Sequence, residues 1–521
     1  MKTKNPVIMM IAMIVALGGL LMGFDASVIS GVIKFIEPEF GLTKLQLGWS
    51  VASLTVTATL AMLVAGPLSD KIGRRTVLRY AAILYAVSAF ASAFAPTYTF
   101  LVIARMIGGF GVGASLILAP MYIAEMAPPE IRGRLVSFNQ LNIVIGISLA
   151  FFTNYLILQL GKSDASWVAS LKINENNWRW MLGLETVPAI LYFSGLFFVP
   201  NSPRWLILKG RYDEAKKVLS KFSGPEESEK TVQEIQDHIE QDKNKAKVSI
   251  GELFKPAMRF VLVIGVVVAV LQQITGINSV FFYAPMIFEQ SGIGTDASFI
   301  QAILVGITNL LFTILALALI DRLGRKPLLS IGVAGMTICM FLLSYGFNSA
   351  SYTLPADSIS GLVDNVDLSG LEAIAGKTYE SDIAFNEALS SSLEVDVLAA
   401  HKSEIIKAAI QMNPKLILVG ILGFVASFAI SIGPVMWVLF SELFPNRIRG
   451  IAISFVGVIN SAISFVVQWV FPWQLEVLGN AGTFFIYGVF ALIGLIFIIR
   501  VIPETKGKSL EELEEELVKT A

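Results

Sequence analysis

The chain has one cysteine, Cys339, and two histidines, His238 and His401. A single thiol cannot close an intramolecular disulfide, and two distant histidines with no companion cysteine make no metal-ligand set. Charge is scarce as well. Asp, Glu, Lys and Arg make up 15% of 521 residues and nearly cancel, leaving a net charge of -1, whereas soluble domains carry about 25% charged residues. So balanced a chain has no field to gather nucleic acid or an anionic partner. No Asn-x-Ser/Thr acceptor for a surface glycan is present.

Apolar side chains are abundant instead, at 55%. Runs near the bilayer-spanning length of about 20 residues recur, at roughly 7–33, 47–69, 77–96, 99–122, 138–160 and 179–199, then 259–289, 298–320, 327–347, 414–440, 450–471 and 481–502. The first run is too long for a cleaved signal peptide. Hydrocarbon offers the backbone no partners, so each run is expected to be a helix. The expectation is an all-α membrane protein of twelve transmembrane helices. Cations cluster in alternate loops: Lys71, Arg74, Arg75 and Arg79, then Arg132 and Arg134, then Arg322, Arg325 and Lys326, then Arg447 and Arg449. The opposite loops hold few, Lys34 and Lys44, then Lys162 and Lys172. Cations favour the cytoplasm, which puts both termini and the polar linker 201–258 there.

Two loop motifs repeat. Asp70-Lys71-Ile72-Gly73-Arg74-Arg75 returns as Asp321-Arg322-Leu323-Gly324-Arg325-Lys326, an offset of 321 − 70 = 251. Glu125 with Ile131-Arg132-Gly133 returns as Glu442 with Ile448-Arg449-Gly450, an offset of 442 − 125 = 317. A duplication into two pseudo-symmetric six-helix bundles follows, with bundles at 1–200 and 259–502 and a tail at 503–521. The difference of 317 − 251 = 66 residues marks an insertion in the second half, at about 348–412 on the outer side. It holds ten acidic residues against Lys377, Lys402 and Lys407, and reads as a small exposed cap or a loose loop. The motif cations are placed to bond helix C-termini and to pair with Glu125 and Glu442. Asp70, Arg74, Arg75, Glu125, Arg132, Arg204, Asp321, Arg325, Glu442 and Arg449 are therefore the candidate cytoplasmic gate.

Amides interrupt the apolar runs at Gln140, Gln272, Gln273, Asn278, Asn309 and Asn460. Amides donate and accept, as do the hydroxyls of a neutral sugar. Gly276 loosens the helix between them, and interrupted helices at mid-membrane mark transporter sites. Gly433-Pro434 is expected to kink the tenth span and turn the Trp437 indole inward. Asp25 and Arg105 are the deepest ionisable residues, about 12 and 9 Å below the outer surface at 1.5 Å per residue. Equal depth permits pairing, and charges inside a membrane are paired or functional.

Several ordered segments carry a family resemblance. They include Gly66-Pro67-Leu68-Ser69-Asp70 with Gly73-Arg74-Arg75, Pro200-Asn201-Ser202-Pro203-Arg204-Trp205, and Gln272-Gln273-Ile274-Thr275-Gly276-Ile277-Asn278. Gly433-Pro434-Val435-Met436-Trp437, Ser441-Glu442-Leu443-Phe444-Pro445 and Pro503-Glu504-Thr505-Lys506-Gly507 complete the set. The chain resembles the sugar porter family of the major facilitator superfamily, and within it the proton-coupled symporters. Asn201 departs from the family's usual Glu, and the outer insertion has no counterpart. The resemblance implies the major facilitator fold, transport without enzymatic activity or a cofactor, and a monomer in a bacterial inner membrane. It places a monosaccharide such as xylose or glucose on Gln140, Gln272, Gln273, Asn278, Asn309, Trp437 and Asn460, with Tyr283 and Phe428 lining the same cavity. It makes Asp25 the proton carrier, Arg105 its partner, and Glu185, near the cytoplasmic side of the sixth span, a further participant. An uncoupled facilitator and a sugar sensor of the same fold are the alternatives.

Overall fold

The computed structural model describes residues 6–221, 225–244, 249–361, 369–445, 447–508 and 512–514. Asp364 and Asp367 of the insertion and residues 515–521 of the tail lie outside this range. The first repeat opens with α1 (Pro6–Glu39), α2 (Lys44–Ile72), α3 (Arg74–Ala93), α4 (Tyr98–Met126) and α5 (Pro129–Leu160), followed by a short α6 (Ser166–Ser170). The sixth span is split into α7 (Asn177–Gly183) and α8 (Thr186–Gly195), with Glu185 at the joint. The linker holds α9 (Pro203–Leu208), α10 (Tyr212–Leu219) and α11 (Pro225–Asn244).

In the second repeat the seventh span is α12 (Arg259–Ile274) with α13 (Ile277–Glu289), followed by α14 (Thr295–Leu323) and α15 (Arg325–Asn348). The insertion contributes α16 (Asp382–Ser392) and α17 (Val395–Ala409). The tenth span is α18 (Pro414–Ile430) with α19 (Ile432–Leu443), and α20 (Arg449–Val501) carries the last two spans. Among the described residues ten stretches are long and apolar enough to cross a bilayer. The split sixth span and the two spans fused in α20 complete the twelve. Gly479, at φ 68°, separates that fused pair. Only a residue without a Cβ adopts this left-handed value freely. The tenth span breaks at Ser431, within one turn upstream of Pro434, whose missing N–H leaves the Ile430 carbonyl without its helical partner. Pro434 sits in the first turn of α19, a position that proline favours.

By contacts the chain forms two compact units. The first comprises 1–27, 53–150 and 179–249, and the second 28–52, 151–178 and 250–521. In the first, α1 and α5 approach closely through small residues. A Cβ on Gly23 would lie 2.0 Å from the Ile143 carbonyl, and one on Gly146 2.1 Å from that of Leu20. Around them lies an apolar core that includes Leu21, Leu78, Tyr122 and Leu196.

The second unit includes the insertion, which is a folded cap. Strands β1 (Ser351–Thr353), β2 (Thr378–Tyr379) and β3 (Ile410–Gln411) make an antiparallel sheet in the order β2-β1-β3. Tyr352, Leu354, Leu371, Phe385, Leu389 and Ile405 fill its own core, and Tyr352 stacks on Phe385 at 5.1 Å. The acidic surface of the sequence conceals this apolar interior. Asp382 Oδ2 accepts hydrogen bonds from the Asn480 backbone N–H at 2.8 Å and its side-chain amide at 2.7 Å, so the cap closes the break in α20. Burial, aided by the Lys44 cation, lowers the Lys402 ammonium to about 8, although Glu37, Glu476 and Asp382 oppose the shift. The four sparse loop lysines all have acidic partners. Lys34 meets Glu289 at 2.8 Å, Lys162 meets Asp296 at 2.5 Å, Lys172 meets Glu175 at 3.7 Å, and Lys44 pairs with Glu37.

Candidate functional site

Within the second unit the seventh span is interrupted at Gly276, whose φ is 88°. A Cβ there would lie 2.5 Å from the Tyr487 ring, so both the backbone angle and the close ring require glycine. The interruption brings the amides of α12 and α13 together against α20. Gln273 Nε2 donates to Gln272 Oε1 at 3.2 Å and to Asn460 Oδ1 at 3.1 Å. Asn460 Nδ2 donates to Gln272 Oε1 and to the Ala269 carbonyl, both at 2.8 Å. Asn278 Nδ2 donates to Gln273 Oε1 at 2.8 Å and to Ser464 Oγ at 2.7 Å. Four of the expected amides thus form one network, with acceptors and donors paired to each other. A polyol can exchange for these bonds partner by partner, since each hydroxyl both donates and accepts.

The remaining expected residues stand apart from this network. Asn309 is buried on α14 and makes no hydrogen bond to the other amides among the described residues. Tyr283 is fully buried, donates to the Gln468 carbonyl at 2.9 Å and tilts against Phe471. Phe428 packs beside Gly433. Trp437 is 46% exposed, in edge contact with Phe440. Gln140 belongs to the first unit, exposed on α5. Sequence reading missed Ser464 and Gln468, which extend the network, with Gln468 Nε2 donating to Ser464 Oγ at 2.7 Å. Asn460, Ser464 and Gln468 are spaced by four, a polar stripe on an otherwise apolar span, and that spacing was a readable signal.

In the first unit Asp25 on α1 and Arg105 on α4 are both buried, and Arg105 Nη1 lies 3.4 Å from Asp25 Oδ1. The Arg105 guanidinium also reaches the Asp25 carbonyl at 3.5 Å. Glu185 is buried, and the charges of Asp25 and Arg105 act on it. Its position corrects the sequence reading. Glu185 lies 185 − 177 = 8 residues from the start of α7 and 200 − 185 = 15 from Pro200. It is therefore nearer the loop 161–176 than the motif-bearing end, at the depth of Asp25 and Arg105. The joint between α7 and α8 presents it there.

The repeated motifs form matching clusters, one per unit. Arg74 meets Asp70 at 2.7 Å and Glu125 at 3.2 Å, and Ser202 Oγ donates to Glu125. Arg75 donates to the Val199 carbonyl at 3.0 Å and Arg132 to that of Ala127 at 3.4 Å, while Arg204 is exposed on α9. In the second unit Arg325 meets Glu442 at 2.7 Å and Asp321 at 3.3 Å. Thr505 Oγ1 donates to Glu442 at 2.6 Å, and Arg449 donates to the Phe444 carbonyl at 3.1 Å. Glu504 accepts the backbone N–H groups of Arg325 and Lys326, both at 3.1 Å.

Comparison with known proteins agrees with this architecture. Residues 11–362 and 397–517 match the family described as sugar (and other) transporter, and the gap falls inside the insertion. The chain is 35% identical to the arabinose-proton symporter of Bacillus subtilis (strain 168), over 98% of this chain and 95% of that protein. It is also 35% identical to the D-xylose-proton symporter of Escherichia coli (strain K12), over 97% and 94%. The inward open conformation of the xylose transporter XylE from E. coli superposes with a TM-score of 0.73, at 33% identity over 98% of this chain and 99% of that one. The proton:xylose symporter XylE bound to 6-bromo-6-deoxy-D-glucose gives 0.68, at 34% identity over the same shares. Relatives and structural neighbours alike are transporters rather than enzymes. The chain is a multi-pass membrane protein with the major facilitator fold, and it belongs to the sugar transporter family.

Proposed function

We propose that the protein carries a neutral monosaccharide inward together with a proton, by alternating access of the six-helix bundles 1–200 and 259–502. It does so in a bacterial inner membrane as a monomer, with both termini and the linker 201–258 cytoplasmic. The sugar is held by Gln140, Gln272, Gln273, Asn278, Asn309 and Asn460, with Tyr283, Phe428 and Trp437 as the apolar wall. Pairing among Gln272, Gln273, Asn278 and Asn460 keeps these amides satisfied until sugar hydroxyls replace their partners. An amide left unpaired by a truncated neighbour costs about 1–3 kcal/mol, so Gln273→Leu should weaken sugar binding about 5- to 150-fold.

The observation that carries the coupling is the buried Asp25–Arg105 pair, with Oδ2 of Asp25 left without a hydrogen-bond partner among the described residues. A membrane-embedded carboxylate beside a single movable cation can exchange its partner for a proton. Glu185 supplies a second carboxylate at the same depth. The motif clusters act as cytoplasmic gate elements that hold span ends together within each repeat. Names of the relatives agree with sugar–proton symport. The test is uptake of radiolabelled xylose, arabinose and glucose by sealed proteoliposomes, with and without an acidic exterior. Accumulation above the outside concentration only with the gradient supports symport. Equal uptake under both conditions indicates an uncoupled facilitator, and binding without uptake a sensor.

A further inference from the structure

The first unit contains buried polar groups that neither the sugar site nor the motif clusters use. Tyr85 on α3, Ser115 on α4 and Tyr192 on α8 are buried, and none of their hydroxyl oxygens makes a hydrogen bond of good geometry among the described residues, although Ser115 stands close to both tyrosines. The same is true of Asp25 Oδ2 and Glu185 Oε1. An unsatisfied buried hydroxyl costs about 1–3 kcal/mol. Phenylalanine would fill the space of either tyrosine without that cost, so packing does not account for these hydroxyls.

The groups are neighbours in order. Tyr85 lies within electrostatic reach of Asp25, Glu185 and Tyr192, and Ser115 stands beside both tyrosines. The face of α4 fixes the sequence of contacts. A Cβ on Gly108 would lie 3.0 Å from Asp25 Oδ2, and one on Gly111 3.3 Å from the Tyr85 ring. One turn further stands Ser115. Opposite it, a Cβ on Gly18 of α1 would lie 2.7 Å from the Tyr192 hydroxyl and 3.3 Å from Ser115 Cβ. Gly108, Gly111 and Ser115 follow one helix face at i, i+3 and i+7. The polar groups therefore descend about 10 Å along α4, from Asp25 toward the motif-bearing end. Glycine at 18, 108 and 111 leaves the room in which they meet.

We propose that Tyr85, Ser115 and Tyr192 form a hydroxyl relay that carries the coupled proton from Asp25 toward the motif-bearing end, with Glu185 as a second carboxylate facing Tyr85. This inference rests on the proton-symport reading. In the relay the protonated Asp25 carboxyl gives its proton to the Tyr85 oxygen as the Tyr85 proton moves to Ser115. The Ser115 proton moves to Tyr192, and that of Tyr192 to water that reaches its buried hydroxyl when the motif-bearing side opens. Each hydroxyl finishes with one O–H, no bond to carbon changes, and one proton has left Asp25.

The experiment uses the full chain in proteoliposomes with a pH-sensitive dye inside and xylose, arabinose or glucose outside, whichever the wild type transports. Sugar-driven acidification of the lumen and radiolabelled sugar exchange at equal pH are measured for wild type, Tyr85→Phe and Tyr192→Phe. The relay predicts that acidification slows at least about tenfold in each variant, while exchange, which needs no net proton movement, stays within about twofold. Preserved exchange also shows that the variant is folded. Acidification at the wild-type rate in both variants overturns the relay and leaves symport standing. Equal loss of acidification and exchange overturns it too, by making the hydroxyls structural. A wild type without sugar-driven acidification removes the symport reading, and the relay with it.

Discussion

In the first repeat Arg74 meets Asp70 and Glu125, and Ser202 holds the far oxygen of that glutamate. In the second, Arg325 meets Asp321 and Glu442, and Thr505 takes the place of Ser202. Beyond these shared parts the clusters part ways. Glu504 accepts the first two N–H groups of α15, whereas Asn201, one residue before Ser202, has replaced the matching acid, and no side chain accepts the Arg74 and Arg75 amides among the described residues. The offset between these segments is 504 − 201 = 303, against 317 for the glutamates. The second repeat is thus 14 residues shorter in between, because a break at Gly479 replaces the loop 161–176. Only the second repeat carries the cap. The arginine–glutamate–hydroxyl triad is kept in both repeats, which marks it as the structural requirement. The helix cap is present in one and missing from the other, which marks it as an addition that strengthens one end.

The largest effect expected is from breaking the triads. Glu125→Gln and Glu442→Gln should each cost about 1.5–3 kcal/mol, the value of a hydrogen bond to a charged group, read as a drop in unfolding temperature in detergent. Glu125 should cost more. Its pair has side chains 5% and 10% exposed, against 12% and 19% for Arg325 and Glu442. A larger loss at Glu442 would break the burial argument. Next, Glu504→Gln keeps the shape but removes the charge at the α15 N-terminus, at a cost of about 0.5–2 kcal/mol. Smaller still, Asn201→Glu should restore the missing cap and raise stability by about 0.3–1 kcal/mol. No gain there would show that the α3 terminus is satisfied in another way.

A further effect, set by pH, concerns the cap. Lys402 sits at about 8 when buried and at its ordinary 10.5 when the chain unfolds. Between these values the unfolded chain holds more protons, so stability rises with pH from 8 to 10.5. Lys402→Met should lose that part of the rise and be no less stable than wild type at pH 7. A Met variant with an unchanged pH slope would show that Lys402 is solvated.

Much of this was legible in the sequence, for physical reasons. Spans are readable because hydrocarbon tolerates only long apolar helices, and the motif clusters because Asp-x-x-Gly-Arg must follow a span end. Gly276 was legible as an interruption among amides. What was hidden depends on three-dimensional closure. The core of the insertion, Tyr352 against Phe385, joins residues 33 apart in a segment dominated by acids. The joint at Glu185 is flanked by Gly183 and Pro188, but neither residue tells that the carboxylate meets Asp25.

Proton coupling as proposed here stands on Asp25. The most direct test compares wild type and Asp25→Asn in proteoliposomes, measuring gradient-driven sugar accumulation alongside sugar exchange at equal pH. Asp25→Asn should lose accumulation and keep exchange. Accumulation at the wild-type level in Asp25→Asn would contradict it and reduce Asp25–Arg105 to a structural ion pair.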